Sequence, residues 1–395
     1  MRSVDISRIG KMFDDRVETG FQRDLKDDSE IQIRHLVEEN RQLSETLTKK
    51  AFEYERNEGM LMMYIDTLEN NTRLLRAHIR DHENDTILDL NPDSKPCNEN
   101  ITKKYWTVTT LGYNWFPTRL FRTYDCECGI RCEFRNGVSR QTSDAIFWTS
   151  DRPGGGPDFP GQVVVRFGIE GNEGVRSWEH VSMSYSEGMD IKVNYLEEKY
   201  RDILAFDSIP EKREQMFLLY LSMRCVEWRD NWVRELGTHL NITALGGCLK
   251  NAEATVLFPE CPAYTRQTWM DSKPCLLKHF KFTLAVENTL IDGYVTEKFY
   301  DPLRANTILI YKGAPNVDNY APGDRSFIDV NNFASIKQLA DYILLLDQND
   351  FLYNEHRLWR TRPRRESFKR LFYNSWENIP CRLCEYLANN WQNKS

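Results

Sequence analysis

The sequence lacks the hydrophobic segments that mark membrane-spanning proteins and secretory leaders. No run of about 20 apolar residues occurs in its 395 residues, so no part of it is predicted to span a bilayer. The first twenty residues also lack the apolar core of a signal peptide. An excess of positive charge is missing too, because the net charge is −7. This balance argues against nucleic acid as a partner and against a general attraction to anionic membranes.

Histidine is scarce, with seven in the chain, and this limits the metal sites that the ten cysteines could form. Cys126, Cys128 and Cys132 cluster without a nearby histidine as fourth ligand, so disulfides are favoured over zinc. Cys381 and Cys384 form a Cys-x-x-Cys pair that could be a redox pair or half a metal site; in a lumenal protein we expect a short structural disulfide. Five Asn-x-Ser/Thr sequons also indicate a secretory lumen: Asn70, Asn84, Asn100, Asn241 and Asn393.

Residues 1–95 differ from the rest of the chain in their periodicity. Apolar residues such as Ile33, Leu36 and Leu43 fall on alternating three- and four-residue steps, and Asn40 occupies an a-type position. We predict an α-helical coiled-coil stem that forms a homodimer and carries no chemistry. A long amphipathic helix folded back on the rest of the chain is the alternative.

Short apolar runs separated by glycine- and proline-rich loops follow the stem. One of them, Val163–Phe167, is the length of a buried strand, and two acidic residues, Glu170 and Glu173, come soon after it. A carboxylate just beyond a strand end is where an α/β domain displays a reactive group. Both residues are therefore candidates for a reactive carboxylate, and an exposed loop acid is the alternative.

The most informative pattern lies in the second half of the chain. Two apolar runs, Phe282–Val286 and Thr307–Tyr311, flank a predicted helix, and this spacing is typical of a parallel sheet whose ligands bind at the carboxyl ends of its strands. Thr296 can cap the helix, which places Glu297 and Lys298 in its first turn. A cation and free backbone donors would then lie where a phosphate docks.

The residues of this segment are more specific than its architecture. The stretches AVENTLIDGYVTEKFYDPL, GAPNVDNYAP and SFIDVNNF resemble the donor-binding signature of the α1,3/4-fucosyltransferases, which transfer fucose from GDP-fucose to GlcNAc-containing glycans. The GAPN…AP stretch is more similar to the branch acting on the N-glycan core than to the Lewis-antigen branch. The resemblance is strong over roughly residues 240–385 and thin before them.

This resemblance implies an α/β fold of two Rossmann-like domains that face a cleft, the GT-B type, preceded by the stem. We expect an acceptor-binding domain at 96–212, a GDP-fucose-binding domain at 213–363, and a tail at 364–395 that packs back on the first domain. The resemblance also implies an enzyme of the Golgi lumen, normally tethered by an N-terminal transmembrane helix that this chain lacks.

The resemblance assigns donor-binding roles to residues of the central segment. Asn288, Tyr294 and Glu297 would line the donor, and Glu297 would bond ribose or fucose hydroxyls. Lys298 would neutralise the diphosphate as it departs.

Two further roles fall outside the central segment. Arg229 would grip the diphosphate with its forked donors, and Arg224 is the second choice because the local spacing departs from the family pattern. Glu170 aligns best with the proposed general base of the family, although the usual flanking Ser-Pro is absent, and Glu173 is its rival.

The sequence contains no Asp-x-Asp pair, which metal-dependent glycosyltransferases commonly use to hold Mn²⁺ or Mg²⁺ on the diphosphate. Its absence, with two cations in the predicted site, favours a metal-independent donor site without a cofactor. We expect an inverting transferase that moves fucose in α1,3 linkage to GlcNAc of N-glycans, in particular the innermost core GlcNAc. The alternatives are a Lewis-type enzyme acting on N-acetyllactosamine, an enzyme using another GDP-sugar, and a non-catalytic coiled-coil protein that binds glycans in the lumen.

Overall fold

The computed structural model describes residues 97–112, 116–137, 140–149, 155–169, 179–205 and 216–391. All of these belong to one compact unit that begins at Lys95. The predicted stem, together with Glu170 and Glu173, lies outside the described residues.

The first half of this unit is built on a seven-stranded sheet. Its strands are β1 (Tyr105–Leu111), β2 (Thr123–Asp125), β3 (Arg131–Asn136), β4 (Ala145–Trp148), β5 (Val163–Phe167), β6 (Val181–Ser184) and β7 (Ile191–Lys192). Their order is β2-β3-β1-β4-β5-β6-β7, and every neighbouring pair except β2 and β3 is parallel. Every residue of β4 and β5 is buried, which explains why the sequences of these strands are largely apolar.

The second half is built on a five-stranded sheet in which every pair is parallel. Its strands are β8 (Met216–Tyr220), β9 (Ile242–Ala244), β10 (Phe280–Val286), β11 (Ile308–Lys312) and β12 (Phe327–Asp329), in the order β12-β11-β10-β8-β9. The predicted α/β class with parallel sheets is confirmed by these two sheets.

Helices connect and cover the strands. They are α1 (Glu227–Leu236), α2 (Ala254–Leu257), α3 (Trp269–Leu277), α4 (Glu297–Ala305), α5 (Ile336–Gln348), α6 (Asp350–Glu355), α7 (Glu366–Leu371) and α8 (Ile379–Asn390). Helix α4 begins where the sequence predicts, because the Thr296 hydroxyl accepts a hydrogen bond from the Lys298 N–H. It ends at Asn306, which adopts a left-handed conformation with φ of 58°. None of the helices described here is both long and apolar enough to cross a membrane.

Aromatic rings fill the core of the first sheet. Phe147 and Phe167 lie on neighbouring strands with their ring centroids 5.2 Å apart. Phe116 packs edge-on against both, at 5.3 and 5.8 Å. Trp376 comes from the C-terminal segment, and its ring stacks on that of Phe116 with the centroids 6.1 Å apart. The C-terminal segment therefore completes the hydrophobic core of the first sheet.

Disulfides fasten the last helix to the first sheet. Cys126 pairs with Cys381 and Cys132 with Cys384, across 255 and 252 residues of sequence. The expectation of a short disulfide between Cys381 and Cys384 is therefore wrong. Residues three apart on a helix share one face, and this face of α8 packs on β3, so both sulfurs reach the strands. The remaining disulfides are Cys97–Cys128, Cys225–Cys248 and Cys261–Cys275, so the prediction of disulfides at the first cluster is confirmed.

The order of strands in the second sheet creates a crevice at its centre. From β8 the chain runs through α1 to β9 on one side, and then returns to place β10 on the other side. The carboxyl ends of β8 and β10 therefore flank a topological switch point, which is where open α/β sheets bind ligands.

Candidate active site

The loops that follow β8 and β9 lie directly on each other beside this switch point. A Cβ atom built on Gly246 would lie 2.6 Å from the backbone nitrogen of Ser222, closer than any side chain can approach. Only glycine allows this contact. The contact holds in place the β8 loop, which carries Arg224 and leads into α1.

Arg229, in the first turn of α1, joins the carboxyl ends of β8 and β10. Its guanidinium donates to the Val286 carbonyl at 3.2 Å and to Asn288 Oδ1 at 2.6 Å. On the other side it donates to Ser222 Oγ at 2.6 Å and to the Arg224 carbonyl. The side chain that was predicted to grip a diphosphate therefore also positions Asn288 and the Arg224 loop.

The charge of Arg229 has no acidic counterpart in the part of the chain that the structure describes. Arg229 is only 1% exposed, its Nε has no hydrogen-bond partner, and its other donors go to neutral oxygens. A buried cation without a counterion is costly. The side chain of Arg224 is exposed beside it, on the loop whose carbonyl Arg229 holds. This end of the sheet therefore carries uncompensated positive charge, which favours the binding of an anion.

Glu287 fixes the start of α4 to the end of β10. Its carboxylate is fully buried and accepts hydrogen bonds from the Thr296 N–H at 2.8 Å and from the Thr296 hydroxyl. Burial raises the pKa of Glu287, and the nearby Lys298 ammonium, 3.4 Å from Glu287 Oε2, acts in the opposite direction. Glu287, in the turn after β10, therefore also fixes the position of Lys298.

Glu297 and Lys298, on the first turn of α4, form an ion pair that Lys273 joins. Lys298 Nζ lies 3.2 Å from Glu297 Oε1, and Lys273 of α3 lies 3.9 Å from the same oxygen. Although burial acts to raise it, the pKa of Glu297 is lowered to about 2 by the charges of Lys298 and Lys273. Burial opposes the charged form of Lys298, but Glu297 and Glu287 raise its pKa. Glu297 is therefore a hydrogen-bond acceptor and Lys298 a permanent cation.

Tyr294 lies between the two sheets rather than on the open edge. Its ring is 1% exposed and packs against Tyr185, which follows β6, at 5.3 Å and against Tyr195, which follows β7, at 5.9 Å. Gly293 makes this approach possible, since it has φ of +80° and a Cβ there would lie 2.7 Å from the Tyr185 carbonyl oxygen. The Tyr294 ring therefore ties the β10 loop to the first sheet.

The structure brings most of the predicted donor residues to one edge. Arg229 contacts Asn288 directly, and Glu297 and Lys298 are neighbours on α4. Sequence reasoning missed Lys273, which also pairs with Asp301 at 2.8 Å. No local pattern marks Lys273, because it enters the site from a helix that precedes β10 in the chain.

Groups that could hold a metal ion among the described residues all involve oxidised cysteines. They are Cys261 and Cys275 with His279, Cys126 and Cys381 with Glu385, and Cys225 and Cys248 with Asp230. Each cysteine pair forms a disulfide, so no thiolate is available as a ligand there.

The C-terminal half of the chain matches a protein-family model. Residues 209–395 match the model described as glycosyltransferase family 10 (fucosyltransferase) C-term, and this range contains Arg229, Asn288 and the whole second sheet. An alpha-(1,4)-fucosyltransferase of Arabidopsis thaliana is 28% identical over 323 residues, which cover 79% of this chain and 80% of that protein.

Other relatives and solved structures match a smaller share of this chain. The GDP-fucose protein O-fucosyltransferase 3 of Homo sapiens is 34% identical over 132 residues, 33% of this chain and 27% of that protein. A crystal structure of an alpha1,3-fucosyltransferase is 16% identical, covers 67% of this chain and 83% of that chain, and has a TM-score of 0.47. The family match covers residues 209–395, a little less than half of the chain, and together with the plant relative it shows that the chain is similar to the fucosyltransferases of glycosyltransferase family 10.

Proposed function

We propose that this protein is an inverting fucosyltransferase that transfers L-fucose from GDP-fucose in α1,3 linkage to the innermost GlcNAc of N-glycans. The observation that carries the proposal is the buried guanidinium of Arg229, which has no carboxylate partner among the described residues and lies at the switch point of the second sheet. A diphosphate at this edge would supply the missing negative charge.

The donor would lie along the carboxyl edge of the second sheet. Arg229 supplies positive charge from behind Asn288, and the exposed Arg224 and the partly buried Lys298 contact the phosphate oxygens. Negative charge grows on the diphosphate as the bond to fucose breaks, so these cations stabilise the transition state more than the ground state. Glu297 stays ionised and accepts hydrogen bonds from ribose or fucose hydroxyls. No metal ion is needed in this scheme.

The acceptor would be activated from the first half of the molecule. Glu170, or Glu173 in its place, follows β5 and takes the proton from the acceptor hydroxyl while that oxygen attacks the anomeric carbon of fucose. The C–O bond to the diphosphate breaks in the same step. A single displacement of this kind converts a β-linked donor into an α-linked product.

We propose the following organisation for this chemistry. Residues 96–212 bind acceptor and residues 213–363 bind donor in a GT-B arrangement, and the tail at 364–395 packs back on the first domain. The stem at 1–95 forms a homodimer, and the enzyme works in the Golgi lumen, where the five disulfides are stable.

Similarity to the protein O-fucosyltransferases adds a second candidate acceptor, a hydroxyl group of a polypeptide. Five such relatives are 34–37% identical over stretches of 132 to 207 residues. These stretches cover 27–41% of the relatives' own length, so most of each relative lies outside the similarity.

The test is mass spectrometry of a mixed acceptor pool incubated with GDP-fucose and EDTA. The pool contains a GlcNAc-terminated N-glycopeptide, an N-acetyllactosamine oligosaccharide and an unglycosylated folded domain rich in Ser and Thr. One fucose on the glycopeptide core, α1,3-linked, is expected. Fucose on lactosamine or on the polypeptide would replace the proposed acceptor. If no product forms with or without Mn²⁺, the catalytic proposal fails in favour of a non-catalytic glycan-binding protein.

Two variants test the roles within the site. Lys298→Ala should weaken GDP-fucose binding, and unchanged binding would remove Lys298 from the phosphate site. Glu170→Gln should leave donor binding intact and stop transfer. If Glu173→Gln stops transfer instead, the base is Glu173.

A further inference from the structure

A buried lysine, Lys273, holds the first turn of α4 from the neighbouring helix. It lies in the middle of α3, which packs against α4, and only 7% of it is exposed. Its ammonium pairs with Asp301 Oδ2 at 2.8 Å, donates to the Glu297 carbonyl at 3.4 Å and lies 3.9 Å from Glu297 Oε1. Lys273 therefore connects two successive turns of α4 while it is itself enclosed by protein.

The two carboxylates that Lys273 contacts would repel each other without it. Glu297 and Asp301 are four residues apart on α4, so their side chains lie on the same face, and like charges at this spacing destabilise a helix. Burial acts to lower the pKa of Lys273, but the charges of Asp301 and Glu297 raise it, so the ammonium stays charged. The position of the Glu297 carboxylate therefore depends on Lys273 as well as on its neighbour Lys298.

Asp301 is in turn held by the segment that joins the two halves of the molecule. The Tyr200 hydroxyl donates to Asp301 Oδ1 at 2.7 Å, and Tyr200 is fully buried in the 3₁₀ segment Glu198–Leu204, between the last strand of the first sheet and the first strand of the second. Each carboxylate oxygen of Asp301 thus has its own partner, Lys273 or Tyr200. A continuous chain of contacts therefore runs from the connecting segment to Glu297.

We propose that Lys273 is a positioning residue for the sugar donor, because it holds the Glu297 carboxylate where that group accepts hydrogen bonds from sugar hydroxyls. Asp301 and Tyr200 fix Lys273 in turn, so the segment between the two sheets takes part in placing the donor. The inference rests on the proposed use of GDP-fucose. It adds a residue that acts on the donor through Glu297 and belongs to a different helix.

The charges around Glu297 determine how a loss of Lys273 appears in an experiment. The ionisable groups that face this carboxylate are Lys298 on the same turn, Glu287 after β10, Lys273 on α3, and the phenols of Tyr200 and Tyr264. Burial acts to raise the pKa of Glu297, but the charges of Lys298 and Lys273 lower it to about 2. Without Lys273 this pKa rises, and a protonated Glu297 loses part of its capacity to accept hydrogen bonds.

The test is equilibrium binding of GDP-fucose to the full chain between pH 5 and pH 8, without acceptor. Lys273→Met should weaken binding by about tenfold to a hundredfold at pH 8, which is the effect of one hydrogen bond to a charged group. The factor should be larger at pH 5. Lys281→Met is the matched control, because its pair with Asp347 has the same length of 2.8 Å and lies at the amino end of β10; its binding should equal that of the original chain.

Two further variants test whether the effect passes through the named residues. Lys273→Met added to Glu297→Gln should bring no further pH dependence, because the titrating carboxylate is absent. Tyr200→Phe removes only the hydroxyl that holds Asp301, and it should weaken GDP-fucose binding by a smaller factor than Lys273→Met. Thermal unfolding without donor shows whether each variant is folded.

The outcomes separate this inference from the proposed function. A folded Lys273→Met that binds GDP-fucose as the original chain does overturns the positioning role and leaves the proposed function intact. The same holds if its loss is equal at every pH, or if the pH dependence persists in the Glu297→Gln background. If Lys273→Met does not fold, unchanged binding in Tyr200→Phe overturns the inference. If the original chain does not bind GDP-fucose, both the proposed function and the positioning role are wrong.

Discussion

Replacing Lys298 by methionine should destabilise the protein through the carboxylate that it leaves behind. Lys298 Nζ lies 3.4 Å from Glu287 Oε2, and Glu287 is fully buried. Two unit charges at this distance attract by about 5 kcal/mol at an effective dielectric constant of about 20. Breaking a buried ion pair costs about 3–5 kcal/mol. Because the Lys298 side chain is 22% exposed, we expect the lower end, about 3 kcal/mol.

The stability that Lys298→Met loses should increase with pH. Burial raises the folded-state pKa of Glu287, and without Lys298 the main opposing charge is gone. A carboxyl group whose pKa is raised by folding binds a proton more tightly in the folded state. The part of the loss that comes from Glu287 should therefore vanish near the unfolded-state pKa of about 4.3. It should lose stability progressively as the pH rises through the folded-state value.

Thermal unfolding between pH 5 and pH 8 measures this effect. At pH 8 a loss of about 3 kcal/mol should lower the midpoint by about 6–12 °C. Lys281→Met is the control, because its pair with Asp347, 2.8 Å away, is partly exposed and should contribute at most about 1 kcal/mol. Adding Glu287→Gln to Lys298→Met should abolish the pH dependence. A loss that is the same at every pH, or that persists unchanged in the double variant, would refute the electrostatic explanation.

Three further predictions concern the disulfides, a close contact and the metal. Cys384→Ser opens a disulfide that spans 252 residues and should cost about 2–5 kcal/mol, seen as a lower thermal midpoint; an unchanged midpoint would contradict it. Gly313→Ala places a Cβ 2.6 Å from Glu287 Cγ and against the Tyr311 hydroxyl, so it should unfold at a much lower temperature. Gly247→Ala, whose nearest neighbour is 3.5 Å away, should melt normally, and equal melting of the two variants would disprove the steric argument. Fucose transfer should continue in EDTA, and activity restored only by Mn²⁺ would show that a metal is required.

Local sequence patterns were sufficient for the central segment of the second sheet. The predicted run Phe282–Val286 and the cap at Thr296 fall within two residues of the observed strand and helix starts. Each of these features depends on neighbours within four residues: a buried parallel strand needs a continuous apolar run, and a helix start needs a side-chain acceptor. Such features can be predicted from the local sequence without knowledge of the rest of the fold.

Features that depend on contacts between distant segments could not be predicted in the same way. The partners of Cys381 and Cys384 are decided by the docking of α8 on β3, about 250 residues away in sequence. Tyr294 belongs to the donor signature, yet its ring is enclosed by Tyr185 and Tyr195 from the other sheet. In both cases the local sequence defines the element and the rest of the molecule defines its neighbours.

The same division applies to Arg229. Its suitability for a diphosphate could be predicted from the sequence. The number of its donors that bind protein oxygens depends on where β8 and β10 end, which brings the Ser222 hydroxyl and the Val286 carbonyl within reach. Sequence reasoning identified the residue but not its second task of holding Asn288 in place.

The disulfides of the last helix have a consequence for biosynthesis. Cys126 and Cys132 leave the ribosome about 250 residues before Cys381 and Cys384 exist. At about 5–20 residues per second, the early thiols wait roughly 13–50 s for their partners. During translation they must be kept from pairing wrongly, for example with Cys97 or Cys128. A premature stop codon before Cys381 would leave both thiols without their partners, so these two disulfides can form only after the last helix has been made.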